Sequence, residues 1–236
     1  MLYLIGLGLN ERGISKEGLL ALEKCKKIYL EGYTIDFPYN IGELKFGKKK
    51  NKIIRLSRQD VESDKLIREA KSIRVALLVY GSPLFATTHM SLILDAERAG
   101  VRTKTIYSSS VFDALAETGL QLYKFGKIAS MPKQEVSFLQ YVKENQSINA
   151  HSLILVDIGL RFQEAIDRLE KETEKENIKI DKIIVCSRLG TEESKILYDK
   201  IEDLKKQKEQ IPAPFCFIIP AEMHFLEKEA LERVEK

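Results

Sequence analysis

The sequence predicts an α/β protein of two domains, and three observations carry that reading. Apolar runs of strand length alternate with helical segments along all 236 residues. The run Val75–Tyr80 is continuous, the pattern of a parallel strand covered on both faces. Charge also inverts along the chain: residues 1–107 hold 19 basic and 12 acidic groups, and residues 108–236 hold 19 and 23. The small polar run Ser108-Ser109-Ser110 lies at the inversion. An N-terminal α/β domain is therefore expected over 1–108 and a C-terminal one over 109–236.

In chain order, Leu2–Leu9 reads as a buried strand. Ser15 can cap a helix running to about Lys24, with Leu19, Leu20 and Glu23 at helical spacing. Strands are expected at Lys27–Leu30 and Ile53–Leu56, then a helix over roughly Val61–Lys71. After Val75–Tyr80 comes a helix from about Thr88 to Ala99, with Gly100 suited to its C-cap. Arg102–Tyr107 is the next strand. Beyond the serines the pattern predicts a short helix (Val111–Glu117), a strand near Leu120–Tyr123 and a helix around Glu135–Glu144. Strand Leu153–Asp157, helix Phe162–Glu176, strand Lys182–Cys186, helix Glu192–Lys208, strand Phe215–Ile219 and helix Met223–Glu235 complete the chain. The alternation argues for mostly parallel sheets.

Composition excludes several classes. Apolar residues at 44% suffice for a core, and a net charge of +3 is too balanced for a dedicated nucleic-acid binder. Cys25, Cys186 and Cys216 form no C-x-x-C pair, which excludes a zinc knuckle or disulfide framework and fits a reducing, cytoplasmic setting. The opening MLYLIGLGLNE lacks a basic n-region and reads as a strand, not a signal peptide. Residues 75–94 carry no Asp, Glu, Lys or Arg, a membrane-like length, but Gly81-Ser82-Pro83 and Thr87-Thr88-His89 break the run. Segment 45–58 holds seven basic residues and no acid. It reads as a solvated turn and strand edge, or as a docking surface for an acidic partner centred on Lys48–Lys50.

The chemistry is expected at the strand ends. Gly6-Leu7-Gly8 invites a dinucleotide reading, with Glu31 as the acidic ribose ligand, but Glu11 occupies the place of the third glycine. The loops Tyr80–His89 and Tyr107–Phe112 contain no Lys or Arg. They offer backbone amides, hydroxyls and apolar walls, which suit an uncharged or cationic ligand such as a sulfonium nucleoside better than a phosphate. His89 reads as bonding to its neighbouring turn, His224 as opening the last helix, and His151 as an exposed loop residue. No nucleophilic triad and no H-E-x-x-H metal spacing exists.

G-L-G-L at the first strand, G-S-P-L-F-A-T-T-H after the fourth and S-S-S-V after the fifth resemble the tetrapyrrole-methylase-like, class III methyltransferases. Thr118-Gly119-Leu120, Leu122–Lys127, Val156-Asp157-Ile158 and Met223-His224 with Glu227 resemble the diphthine synthase branch of that family. The likeness runs from residue 2 to about residue 227. It implies two α/β domains of the tetrapyrrole methylase type, with S-adenosylmethionine in the cleft between them, in a homodimer. It also implies methylation of the amine on a modified histidine of translation elongation factor 2, on the way to diphthamide. Cofactor contacts carried over from the family fall on Leu9, Ser82, Phe85, Ser110, Val111, Val156, Leu189 and Phe215. The family has an acidic residue where Ser82 stands, Gly-Lys where Ala221-Glu222 stands, and a longer segment between Lys127 and Phe138.

The resemblance implies catalysis by positioning, with no single essential acid or base, because a sulfonium is already activated. An amine beside it loses its proton readily through like-charge repulsion. Two alternatives stand: a class III methyltransferase of a polyanionic tetrapyrrole precursor, disfavoured by loops without basic groups, and a non-catalytic scaffold retaining the fold.

Overall fold

The computed structural model describes residues 1–44, 46, 52–133, 137–207 and 210–234. The chain divides into two compact units, Met1–Val111 and Phe112–Lys236.

In the first unit, strands β1 (Leu2–Gly6), β2 (Lys27–Glu31), β3 (Ile53–Leu56), β4 (Val75–Val79) and β5 (Thr103–Ile106) form one sheet of order β3-β2-β4-β1-β5. Every pairing is parallel, with Leu4 opposite Leu77 and Ile5 opposite Leu78. The central strands β1 and β4 are buried on both faces, which is why Val75–Val79 reads as unbroken apolar sequence. Alternate side chains serve two cores. Leu4, Tyr29 and Leu77 pack with Leu66 and Ala96 on one face; Ile5, Leu30 and Leu78 pack with Ala21 and Leu22 on the other. Each such Leu or Ile contributes about 1.5–3 kcal/mol.

Helices α1 (Lys16–Leu22), α2 (Arg58–Glu62), α3 (Lys65–Ser72) and α4 (His89–Arg98) supply the covering layers. Ser15 caps α1 by accepting from Gly18 N at 3.1 Å. Ser57 and Asp60 form a capping box on α2. The single helix expected over Val61–Lys71 is instead two, because Ser63 adopts extended backbone between α2 and α3. Gly100 takes a left-handed φ of 71° just past α4, as expected of a C-terminal glycine.

After α5 (Val111–Ala114), 3₁₀ turns cover Leu115–Thr118 and Leu122–Lys124. The second unit then contains β6 (Ala129–Met131), α6 (Phe138–Ser147), β7 (Ser152–Val156), α7 (Phe162–Lys175), β8 (Ile183–Ser187), β9 (Lys195–Asp199), α8 (Ile201–Lys205), β10 (Phe215–Ile219) and α9 (Phe225–Glu232). Its sheet has the order β6-β7-β10-β8-β9. Its core gathers Phe138, Val142, Ile154, Ile166, Leu169, Val185 and Phe217.

Three expectations fail here. The sheet is not mostly parallel: only β6 and β7 run together, while β10 opposes both β7 and β8, and β8 opposes β9. The strand expected near Leu120–Tyr123 is a 3₁₀ turn, and the helix expected over Glu192–Lys208 is strand β9 followed by the short α8. β6 was not foreseen. No helix among the described residues is long and apolar enough to cross a membrane.

Candidate functional site

The carboxyl edge of the first sheet is built by loops locked to each other through backbone. Leu7 N donates to Val79 O at 2.8 Å, while Gly8 and Gly81 exchange N–H···O bonds of 3.1 and 3.0 Å. This approach demands small residues: a Cβ on Gly6 would lie 2.6 Å from Gly81 O and 3.0 Å from Ser108 Cβ. Gly8 and Gly81 have φ of 72° and 68°, left-handed conformations in which glycine carries no side-chain penalty. Ser108 Oγ donates to Gly13 O at 2.7 Å, and Tyr80 OH to Leu9 O at 3.1 Å.

These bonds bring together five of the expected cofactor contacts on one edge. Leu9 and Ser110 are buried, and Ser82, Phe85 and Val111 half-buried. The turn holding Ser82 and Phe85 is organised on Pro83. Its carbonyl accepts from Thr87 Oγ1 at 2.7 Å and from His89 Nδ1 at 2.9 Å. Phe85 N donates to Ser82 O at 3.2 Å, and Ala86 takes a left-handed φ of 52°.

His89, expected to bond to its neighbouring turn, does so, and it also meets a partner the sequence did not suggest. Its Nε2 stands 3.2 Å from Glu31 Oε2, with both side chains buried (2% and 0% exposed). Burial alone would lower the imidazole pKa, but the Glu31 carboxylate and the Pro83 carbonyl outweigh it and raise it above its ordinary value. Glu31 is thus buried against a histidine and not exposed at the strand end as a ribose ligand would be, which counts against the dinucleotide reading.

The other three expected contacts lie at one end of the second sheet. Val156 closes β7, Leu189 follows β8 by two residues, and Phe215 opens β10. Because β10 opposes its neighbours, its first residue falls beside their last: Phe215 pairs with Ser187, and Cys216 with Leu155. Phe215 packs on Phe162 and Phe217, with ring centroids 5.7 Å from each. Cys216 faces Cys186 across β10 and β8, both thiols buried and free, and the Cys216 contact, reinforced by burial, pushes the Cys186 thiol up.

A second polar centre was missed by sequence reasoning. His151 is completely buried, not exposed as expected. Its Nδ1 accepts from Ala221 N at 2.8 Å, so Nε2 carries the proton it presents to Glu227 Oε1 at 3.1 Å. Glu227 also accepts from Lys124 Nζ at 2.6 Å, Gln121 N at 2.9 Å and His224 N at 2.7 Å. Burial alone would raise the Glu227 carboxyl, but these donors hold it down at about 2. Burial pushes His151 below its ordinary value. This network lies at the start of β7 and past the end of β10, the opposite end of that sheet from Val156 and Phe215. It ties together segments at residues 121–124, 151 and 221–227, which makes it a structural node. His224 caps α9 at the same place.

Among the described residues no group of His, Cys, Asp or Glu could hold a metal ion. Of the basic 45–58 segment, Arg55 donates to Gly32 O at 2.5 Å and Arg58 pairs with Glu62 at 3.3 Å; Lys45 and Lys48–Lys50 lie outside the described residues.

Known proteins share this architecture. A model of the tetrapyrrole (corrin/porphyrin) methylases matches residues 1–205, and the chain belongs to that family of methyltransferases. Within it, a diphthine synthase of Methanocaldococcus jannaschii is 36% identical over 98% of this chain and 98% of its own length. The diphthine methyl ester synthase of Schizosaccharomyces pombe is 39% identical over 69% of this chain and 60% of its own length. A crystal structure of diphthine synthase superposes with a TM-score of 0.90 at 34% identity, covering 99% of this chain and 95% of that one. The chain is a member of the diphthine synthase family.

Proposed function

We propose that this chain transfers methyl groups from S-adenosylmethionine to the amine of the modified histidine on translation elongation factor 2, the diphthine-forming step of diphthamide biosynthesis. The observation that carries the reading is the end-to-end similarity to diphthine synthases, 36% identity over 98% of both chains.

The donor set at the first sheet edge supports the cofactor. Its loops offer hydroxyls of Ser82 and Ser110, backbone groups around Gly81, and apolar Leu9, Phe85 and Val111. No Lys or Arg lies in 80–89 or 107–112, and His89 is already occupied by Pro83 and Glu31. Such a surface suits a cationic nucleoside and offers a polyanionic tetrapyrrole nothing to pair with. Gly81 keeps its surroundings open, since a Cβ there would meet only Ser109 O at 3.7 Å and Ser110 Cα at 3.8 Å. Val156, Leu189 and Phe215 are the contacts proposed from the second unit, an apolar set suited to an adenine face.

When bound, S-adenosylmethionine supplies a methyl group on a sulfonium already primed to leave. The chain's residues hold that group in line with the acceptor amine and keep water out, a task of positioning. We propose further that the protein works as a homodimer in the cytoplasm.

The test is incubation of the purified protein with elongation factor 2 bearing the 3-amino-3-carboxypropyl histidine and labelled S-adenosylmethionine, followed by mass spectrometry that locates each methyl. Methyl groups on the amine are expected. Methylation of the carboxylate as well would align the chain with the methyl ester synthase relative, and no transfer together with no heat of cofactor binding would indicate a scaffold. Light scattering at micromolar concentration should give twice the chain mass.

A further inference from the structure

We infer that Glu31 and His89 are a positioning pair for the methyl-donor turn: a buried carboxylate–imidazolium contact that fixes the Pro83 carbonyl and thereby places Ser82 and Phe85. The inference rests on the reading that this turn takes S-adenosylmethionine.

The geometry begins with the ring nitrogens. Nδ1 lies 2.9 Å from Pro83 O, and a carbonyl only accepts, so Nδ1 bears a proton. Nε2 lies 3.2 Å from Glu31 Oε2, the distance of an ion pair, and a carboxylate held that close favours a second proton on the ring. It belongs to the imidazole, the more basic partner. The contact is an ion pair without an aligned hydrogen bond, and no other described residue hydrogen-bonds the Glu31 carboxylate, so His89 is the cation that faces it.

The surroundings make this costly unless it is used. Both groups are buried, and His89 is the first residue of the ten-residue helix α4, where the helix dipole disfavours a cation. Thr88, the preceding cap residue, provides no side-chain bond to the helix. A neutral side chain could fill the same volume more cheaply. The ion pair instead links the end of β2 to the loop after β4 through one atom, Pro83 O, one residue from Ser82 and two from Phe85. Tyr33 is the other titratable group acting with Glu31, itself influenced by Glu62 and by Arg58 over its ring at 5.7 Å. None of these bonds His89.

Three variants and one spectrum test it. Glu31→Gln and His89→Gln should raise the KM and calorimetric Kd for S-adenosylmethionine roughly tenfold or more, with kcat at saturation little changed. Glu31→Leu/His89→Leu replaces the pair by apolar volume; it should fold, yet show the same weakened cofactor affinity. Cofactor affinity equal to wild type in that folded double variant would reduce the pair to a structural role and overturn the proposal. Histidine-selective ¹⁵N NMR of the wild-type protein at about pH 7.5 should show imidazolium shifts on both His89 nitrogens. A neutral ring there overturns the proposal whether or not any variant folds. If wild-type protein gave no heat with S-adenosylmethionine, the cofactor reading itself would fail, whereas normal wild-type binding with unaltered variants defeats only this inference.

Discussion

Lys124 shows how much a single residue can carry in this chain. Its ammonium reaches both Glu222 O at 2.8 Å and the buried Glu227 carboxylate at 2.6 Å. Replacing it by Met keeps the stem and removes the charge, leaving a buried carboxylate supported only by neutral donors. We expect Lys124→Met to cost about 3 kcal/mol in urea unfolding. The Glu227 pKa should rise with it. In the native protein that group titrates at about 2 against an ordinary 4.5, so its contribution is full above about 4.5 and is lost as pH falls towards 2. The variant should therefore show a smaller loss of stability across that acid window; an unchanged acid profile would mean Lys124 is not the principal support. The sequence hid this node for a physical reason. His151 acquires its partners from Ala221 and Glu227, 70 and 76 residues away, and no local pattern marks a histidine that pairs over that distance. By contrast, the lack of Lys and Arg in loops 80–89 and 107–112, on which the proposed ligand edge rests, was legible because composition is a local property.

At the scale of elements, the first sheet was readable almost throughout and the second was not. Parallel central strands need apolar side chains on both faces, and Val75–Val79 displays that need openly. Phe215–Ile219 displays the same unbroken run, yet it is antiparallel to both neighbours, so burial reveals a strand and not its direction. β9 was concealed by its ends: Lys195 and Asp199 suit an edge strand, and the acidic run Glu192-Glu193 before them imitates a helix start. At three residues, β6 is too short for any period to appear. The contact of the β1 and β4 loops supplies the prediction at this scale. Gly6→Ala places a Cβ 2.6 Å from Gly81 O and 3.0 Å from Ser108 N, backbone atoms with little freedom to retreat. A destabilisation of about 1–3 kcal/mol is expected, with loss of cofactor binding. A thermal melt and calorimetry check both; a normal melt with normal binding would show that the two loops separate freely.

Over the whole molecule, the two buried histidines respond to pH in opposite directions. His89, in the first unit, has its pKa raised above 6.5 in the fold. Its contribution is full below 6.5 and is lost as pH climbs through the raised value. His151, in the second unit, has its pKa lowered below 6.5, so its contribution is present above 6.5 and is lost as pH drops. Hydrogen-exchange protection, corrected for intrinsic rates and compared at about pH 6 and about pH 8, should therefore strengthen with acidity around α4 and weaken around β7. A shift of the same sign in both regions would contradict the assigned protonation states.

The facing thiols of Cys186 and Cys216 carry a last consequence. Each is buried on a face of the paired strands β8 and β10, and an alkylating reagent must wait for the packing over that face to open. The molecule thus contains its own stopwatch: the rate at which these sulfurs are modified counts how often the end of the sheet bearing Phe215 comes open, and a ligand seated there would slow the count.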